Sequence, residues 1–128
     1  MRALFDTNVL LWWLSDPKRI PEALMTQLKD DQSILYYSQI SLLEIQFKLN
    51  LGKLDLSFPP NNLPELAEKS GLIEWPLTNQ AIFTLAKLPS IHRDPFDRLL
   101  IAESIQGGLA LITPDETIHR YPVKARWT

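Results

Sequence analysis

The chain contains no cysteine, which excludes thiol nucleophiles, cysteine-type zinc sites and any disulfide framework. That usage fits a reducing compartment, and the cytoplasm is the expected location. No apolar run approaches the ~20 residues that a membrane-spanning helix requires. The apolar opening does not read as a secretory leader, because Asp6, Thr7 and Asn8 interrupt it and no small-residue cleavage site follows. A basic excess is missing as well: 13 Lys and Arg against 15 Asp and Glu leave a net charge of −2. Bulk charge therefore does not hold nucleic acid, and any such role must be local to a site.

What is present is ordinary globular material, 128 residues of which 45% are hydrophobic and 22% charged. These values fit one domain, residues 1–128, without repeats or low-complexity tracts. The segment Pro59-Pro60-Asn61-Asn62-Leu63-Pro64 reads as a loop. Short apolar runs predict strands at 3–5, 34–37, 72–75 and 109–113, with an edge strand at 123–127. Helical patterns lie between them at 9–15, 22–30, 42–51, 66–70, 80–88 and 96–106. Strands separated by helices require crossover connections, so the expected fold is α/β, a mostly parallel sheet covered on both faces. Ligands in such sheets bind beyond the carboxyl ends of the strands.

Acids gather in those places. Asp6 follows the first strand directly, Asp115 follows the fourth after one proline, and Glu44 lies early in the helix after the second strand. Asp94 and Asp97 begin the helix that leads to the fourth strand. Each has a purely structural reading. Ser41-Leu42-Leu43-Glu44 and Thr113-Pro114-Asp115-Glu116 both spell capping boxes. Asp94-Pro95-Phe96-Asp97 spells an N-cap with an acid in the first turn, and Asp6 suits the cap of the first helix. Jointly, carboxylates from four segments meeting at one rim repel each other unless a hard cation sits among them, which points to magnesium or manganese. Zinc fits poorly, since His92 and His119 form no local ligand motif. Hydrogen bonding or a surface position is the expected role of His92.

These residues resemble the PIN-domain ribonucleases, and within them the VapC-type toxins of toxin-antitoxin pairs. The resemblance spans nearly the whole chain. It rests on Leu4-Phe5-Asp6-Thr7-Asn8-Val9-Leu10-Leu11-Trp12, on Ser41-Leu42-Leu43-Glu44-Ile45 with Leu51-Gly52-Lys53-Leu54, on His92-Arg93-Asp94-Pro95-Phe96-Asp97-Arg98-Leu99-Leu100-Ile101-Ala102, and on Thr113-Pro114-Asp115. It implies a PIN-like three-layer α/β/α fold and a metal-dependent endoribonuclease in which Asp6, Glu44, Asp97 and Asp115 are the catalytic acids and metal ligands. Asp94 is then the helix cap. Thr113 corresponds to a hydroxyl beside the fourth acid, Thr7 or Asn8 orients the first, and these three with Arg98 are the candidate substrate-binding residues. Arg98, Arg93, Lys48 and Lys53 are the candidate phosphate contacts. The implied partners are an RNA substrate, a cognate antitoxin and a second copy of the chain.

The run Val9-Leu10-Leu11-Trp12-Trp13-Leu14 is apolar all round, so one tryptophan is a candidate to face a partner. Phe58, Leu63 and Leu66 are candidates to frame an antitoxin groove. Two other readings compete. A phosphatase of the haloacid dehalogenase kind needs a second aspartate where Asn8 stands. A binding or scaffold module, in which the acids are only caps, would take up no metal.

Overall fold

The first strand, β1 (Arg2–Phe5), alternates its side chains between two cores. In the computed structural model, which describes residues 1–128, Ala3 and Phe5 face one core while Leu4 faces the other. The same period of two recurs in β4 (Ala110–Ile112), where Ala110 and Ile112 share the side of Phe5 and Leu111 that of Leu4. With β2 (Ile34–Ser38), β3 (Leu72–Trp75) and β5 (Ala125–Arg126), these strands form one sheet in the order β3-β2-β1-β4-β5. Every pairing is parallel, as strands joined through helices require.

Helices cover both faces, giving three layers. Val9 and Leu10 of α1 (Thr7–Ser15), Leu24 and Leu28 of α2 (Glu22–Leu28) and Ala67 of α4 (Leu63–Lys69) fill the core on the Phe5 side. Leu100 and Ile101 of α6 (Pro95–Gly107) fill the Leu4 side together with Ile118 and Tyr121, and α5 (Asn79–Thr84) packs against α6. Helix α3 (Gln39–Asn50) serves both, sending Ile45 to one core and Ile40 to the other. Each fully buried Leu or Phe contributes roughly 1.5–3 kcal/mol relative to exposure. Gly108 ends α6 at φ +66°, a left-handed conformation that glycine adopts without a Cβ penalty.

Several boundaries differ from the sequence reading. Helices α1 and α3 begin earlier than their apolar patterns, because Asp6 and Ser38 cap them ahead of polar residues. The predicted helix 80–88 divides into α5 and a 3-10 turn at Leu85–Lys87. The expected edge strand 123–127 shortens to Ala125–Arg126, since tight turns, Val123 N–H to the Tyr121 carbonyl and Ala125 N–H to that of Val123, bend the chain first. Both tryptophans of α1 have partners within the fold. Trp13 packs on Phe5 and donates to the Ser70 carbonyl at 3.1 Å, while Trp12 lies between Trp127 and the Arg19 guanidinium. Leu63 is fully buried, so it belongs to the core instead of a groove wall.

The strand order fixes where a site forms. From β1 the chain moves to β2 on one side, whereas β4 lies on the other, so the crossover direction changes at β1. The gap between the carboxyl ends of β1 and β4 is the switch point at which open α/β sheets bind ligands.

Candidate active site

Asp6 occupies that gap. Its backbone N–H donates to the Ile112 carbonyl at 3.0 Å, prolonging the β1–β4 ladder, and its Oδ1 accepts the Val9 N–H at 2.8 Å as the cap of α1. The capping reading is therefore correct, but incomplete. The nearby Thr113 hydroxyl also favours the ionised form of this carboxylate, whose residue is only 5% exposed. Burial pushes its pKa up to about 6, against the Thr113 hydroxyl and the Val9 N–H, and the charges of Glu44 and Asp115 add to the rise.

Glu44 is not a cap. Ser38 caps α3 by accepting the Ile40 N–H, which leaves Ser41 and Glu44 inside the helix and both buried. Thr7 Oγ1 donates to Glu44 Oε1 at 2.7 Å, and Ser41 Oγ lies 2.9 Å from Thr7 Oγ1. The single hydroxyl hydrogen of Thr7 goes to the carboxylate, so Ser41 donates to Thr7. The other oxygen, Oε2, accepts Lys48 Nζ at 2.5 Å. A nearly buried carboxylate held by this relay has no role in helix capping.

The two remaining acids meet at His92. Asp94 caps α6, accepting the N–H groups of Phe96 at 2.8 Å and Asp97 at 3.3 Å, with Pro95 in the first turn. Asp97 follows one turn in, and no backbone or hydroxyl donor seats its carboxylate. His92 Nε2 lies 3.0 Å from Asp97 Oδ2 and 2.9 Å from Asp115 Oδ2. The Asp94 N–H donates to His92 Nδ1 at 3.1 Å, which places the imidazole proton on Nε2, pointing at both carboxylates. Burial, then the negative charges of Asp94 and Glu44, push the Asp97 pKa up to about 7. Burial acts upward on Asp115 too, but the hydrogen bonds from His92 and the Thr117 N–H outweigh it and hold the group below its ordinary value. No α-helix follows Thr113; Asp115 closes a turn ahead of the 3-10 helix Ile118–Arg120.

Between these elements lies a pocket of about 330 Å³, lined by no hydrophobic side chain and reached by Asp6, Glu44, Asp94, Asp97 and Asp115. Exposed Asn8 and the buried Thr7 also line it. Thr113 is fully buried and supports Asp6 and Asp115 from behind, with its Oγ1 accepting the Asp115 N–H at 3.1 Å. Arg98 is not at the rim, contrary to the expectation that it meets phosphate. Its guanidinium donates to the Pro89 carbonyl at 2.9 Å and to the Tyr121 hydroxyl at 3.1 Å. Tyr121 Oη in turn accepts the N–H of His92 at 2.6 Å, so Arg98 steadies the loop that carries His92. Arg93 and Lys53 are exposed and line no part of the pocket.

Sequence reasoning placed the acids and gave His92 a hydrogen-bonding role, which it has, without naming its partners Asp97 and Asp115. His92, Asp97 and Asp115 offer ligating atoms all within 4.8 Å of one another. The donors around the pocket are mainly carboxylate oxygens, and Asp6 and Asp97 resist ionisation without a counter-charge; both features suit a hard divalent cation. His92 itself keeps no free lone pair in this arrangement, because Nδ1 accepts the Asp94 N–H and Nε2 carries the proton shared with Asp97 and Asp115.

A parallel α/β sheet with carboxylates gathered at its switch point sets the chain among the α/β proteins whose ligand site is a polar, acid-lined pocket beyond the strand ends. The chain belongs to the PIN domain family, whose profile matches residues 3–124. It is similar to "Ribonuclease VapC22" of Mycobacterium tuberculosis, with 31% identity over 123 residues covering 93% of this chain and 92% of that protein. Among solved structures it resembles VapBC2 from Rickettsia felis bound to a promoter DNA fragment, with a TM-score of 0.72, 16% identity and 98% of each chain covered. DNA-bound VapBC from Salmonella typhimurium gives a TM-score of 0.70 at 18% identity, covering 100% of this chain and 99% of that one. At such identities the structures establish the fold, which is the three-layer α/β/α arrangement described above.

Proposed function

We propose that the protein is a metal-dependent endoribonuclease, the toxin of a toxin-antitoxin pair, acting in the cytoplasm. The observation that carries this reading is the convergence of Asp6, Glu44, Asp97 and Asp115, from four separate segments, on one polar pocket. The likeness to a named ribonuclease supports RNA as the substrate. Asp6 and Asp97 would hold the cation, magnesium or manganese, with Asp115 beside them and Glu44 facing them across the pocket. When bound, the ion supplies Lewis acidity and neutralises charge developing on a phosphodiester. The chain's own residues do the rest. Thr7 and Ser41 hold Glu44 in one rotamer, Thr113 holds Asp6, and His92 keeps Asp97 and Asp115 within reach of one centre. Asn8, exposed at the pocket edge, is positioned for the substrate.

Two partners belong to the same reading. The family resemblance implies an antitoxin, and the VapBC structures share this fold. A second copy of the chain fits the exposed apolar stripe that runs from Leu43 and Phe47 of α3 to Leu51 at its C-terminal cap, at one-turn spacing. No helix of the protein is long and apolar enough to cross a membrane.

The deciding experiment is calorimetric titration of manganese into chelator-washed protein, followed by RNA cleavage with and without the ion. Binding and cleavage are expected in the unaltered protein, and both are lost in Asp6→Asn and Asp97→Asn. Undiminished, ion-independent cleavage by a well-folded Asp6→Asn preparation would overturn the reading.

A further inference from the structure

Lys48 is the cationic side chain that lines the acid pocket; the other charged groups there are Asp6, Glu44, Asp94, Asp97 and Asp115. It stands one turn after Glu44 on α3, with Nζ 2.5 Å from Oε2. The two halves of this pair are unequally fixed. Glu44's side chain is 5% exposed and anchored through Oε1 by the Thr7 hydroxyl, whereas Lys48's is 40% exposed and reaches in from solvent. Lysine suits such a position, being a compact charge on a flexible stem.

We propose that Lys48 is a positioning residue, a tethered cation that occupies Glu44 until a divalent ion arrives and then leaves it for the RNA phosphate. The proposal rests on the metal-dependent nuclease reading above. Without a cation, Glu44 is a nearly buried anion facing other carboxylates, which is costly. A divalent ion held by Asp6 and Asp97 in the same pocket would repel the Lys48 ammonium, and of the two partners in the ion pair the exposed, flexible lysine is the one free to move. The freed ammonium stays in the pocket, where a phosphodiester must lie, and loading the ion thereby prepares the site for RNA.

The test compares Lys48→Met and Lys48→Arg with the unaltered chain by thermal melting and manganese calorimetry. In chelator, Lys48→Met is expected to melt lower. It should bind manganese roughly threefold to tenfold more tightly, since a competitor has gone, and regain the normal Tm at saturating ion. Its KM for an oligoribonucleotide should rise with a smaller change in kcat, and Lys48→Arg should restore the chelator Tm. Manganese affinity that is unchanged or weaker in Lys48→Met, or a Tm deficit that persists with the ion, would show a plain structural ion pair. An unchanged KM would remove the phosphate half of the proposal. If the unaltered chain binds no manganese, the metal-centre reading itself fails, an outcome distinct from the others.

Discussion

At the switch point, burial and neighbouring carboxylates together push Asp6 to about 6 and Asp97 to about 7. Farther along α6, Glu103 is also pushed up to about 7, with burial as its one raising cause and a hydrogen bond from the Ser38 hydroxyl opposing it. Glu103 is fully buried, its Oε2 has no partner, and it lines neither the acid pocket nor another of the principal cavities. A raised carboxylate pKa therefore marks two different things in one fold. In α6 it marks an isolated buried acid that ties the helix to the end of β2. At the rim it marks charges that repel one another across an open pocket, an arrangement that a cation relieves.

The largest expected effect separates the two regions by activity. Asp97→Asn should lower RNA cleavage by at least about a hundredfold, whereas Glu103→Gln, which keeps shape and hydrogen-bonding capacity, should cleave at close to the normal rate. Circular dichroism on the same preparations checks that both remain folded. Next comes stability. Ser38→Ala removes both the cap of α3 and the partner of Glu103, and should cost about 2 kcal/mol in urea unfolding, with manganese affinity unchanged.

The rim was far more legible in the sequence than Glu103. Asp6, Asp97 and Asp115 follow strands or open helices, where chain position alone brings them to one edge of a parallel sheet. Ser41-Leu42-Leu43-Glu44 spells a capping box beside the catalytic reading of Glu44, because S-x-x-E fits a helix start and a helix interior equally well; Ser38, three residues earlier, takes the cap. His92 reads from sequence as a hydrogen-bonding histidine and is one, but its partner Asp115 is not legible there because it lies 23 residues away on another element. The apolar spacing of α6 showed that the helix is buried but did not reveal that Glu103 is turned inward. Arg98 looked like a phosphate ligand by its place after Asp97, but the loop carbonyl of Pro89 and the Tyr121 hydroxyl claim it.

Asp94 sharpens the comparison within the rim itself. As the cap of α6 it accepts two backbone N–H groups, so Asp94→Ala should cost about 1 kcal/mol. Manganese binding should persist, because Asp97 and Asp115 keep their places through His92. Loss of binding in Asp94→Ala with retention in Asp97→Asn would reverse the two assignments.

The smallest effect has the opposite sign. The ordinary aspartate value is 3.8, and folding raises Asp6 to about 6 and Asp97 to about 7. The unfolded chain therefore gives up these protons more readily than the folded one. What the two groups contribute to stability is fully present below pH 3.8 and is lost as the pH rises through about 6 and about 7. In chelator at pH 8, Asp97→Asn should accordingly stabilise the fold, by about 0.5–1 kcal/mol, because the amide accepts from His92 without adding charge. Glu103 loses its contribution over a similar window, between its ordinary 4.5 and about 7, so the pH slope of the metal-free protein has two sources. Saturating manganese separates them. The ion favours ionised Asp6 and Asp97 and should flatten their share of the slope, leaving the part that Glu103→Gln removes. A metal-free Asp97→Asn that melts lower than the unaltered chain at pH 8 would mean that the rim carboxylates are held as structural partners, and the contrast with Glu103 would collapse.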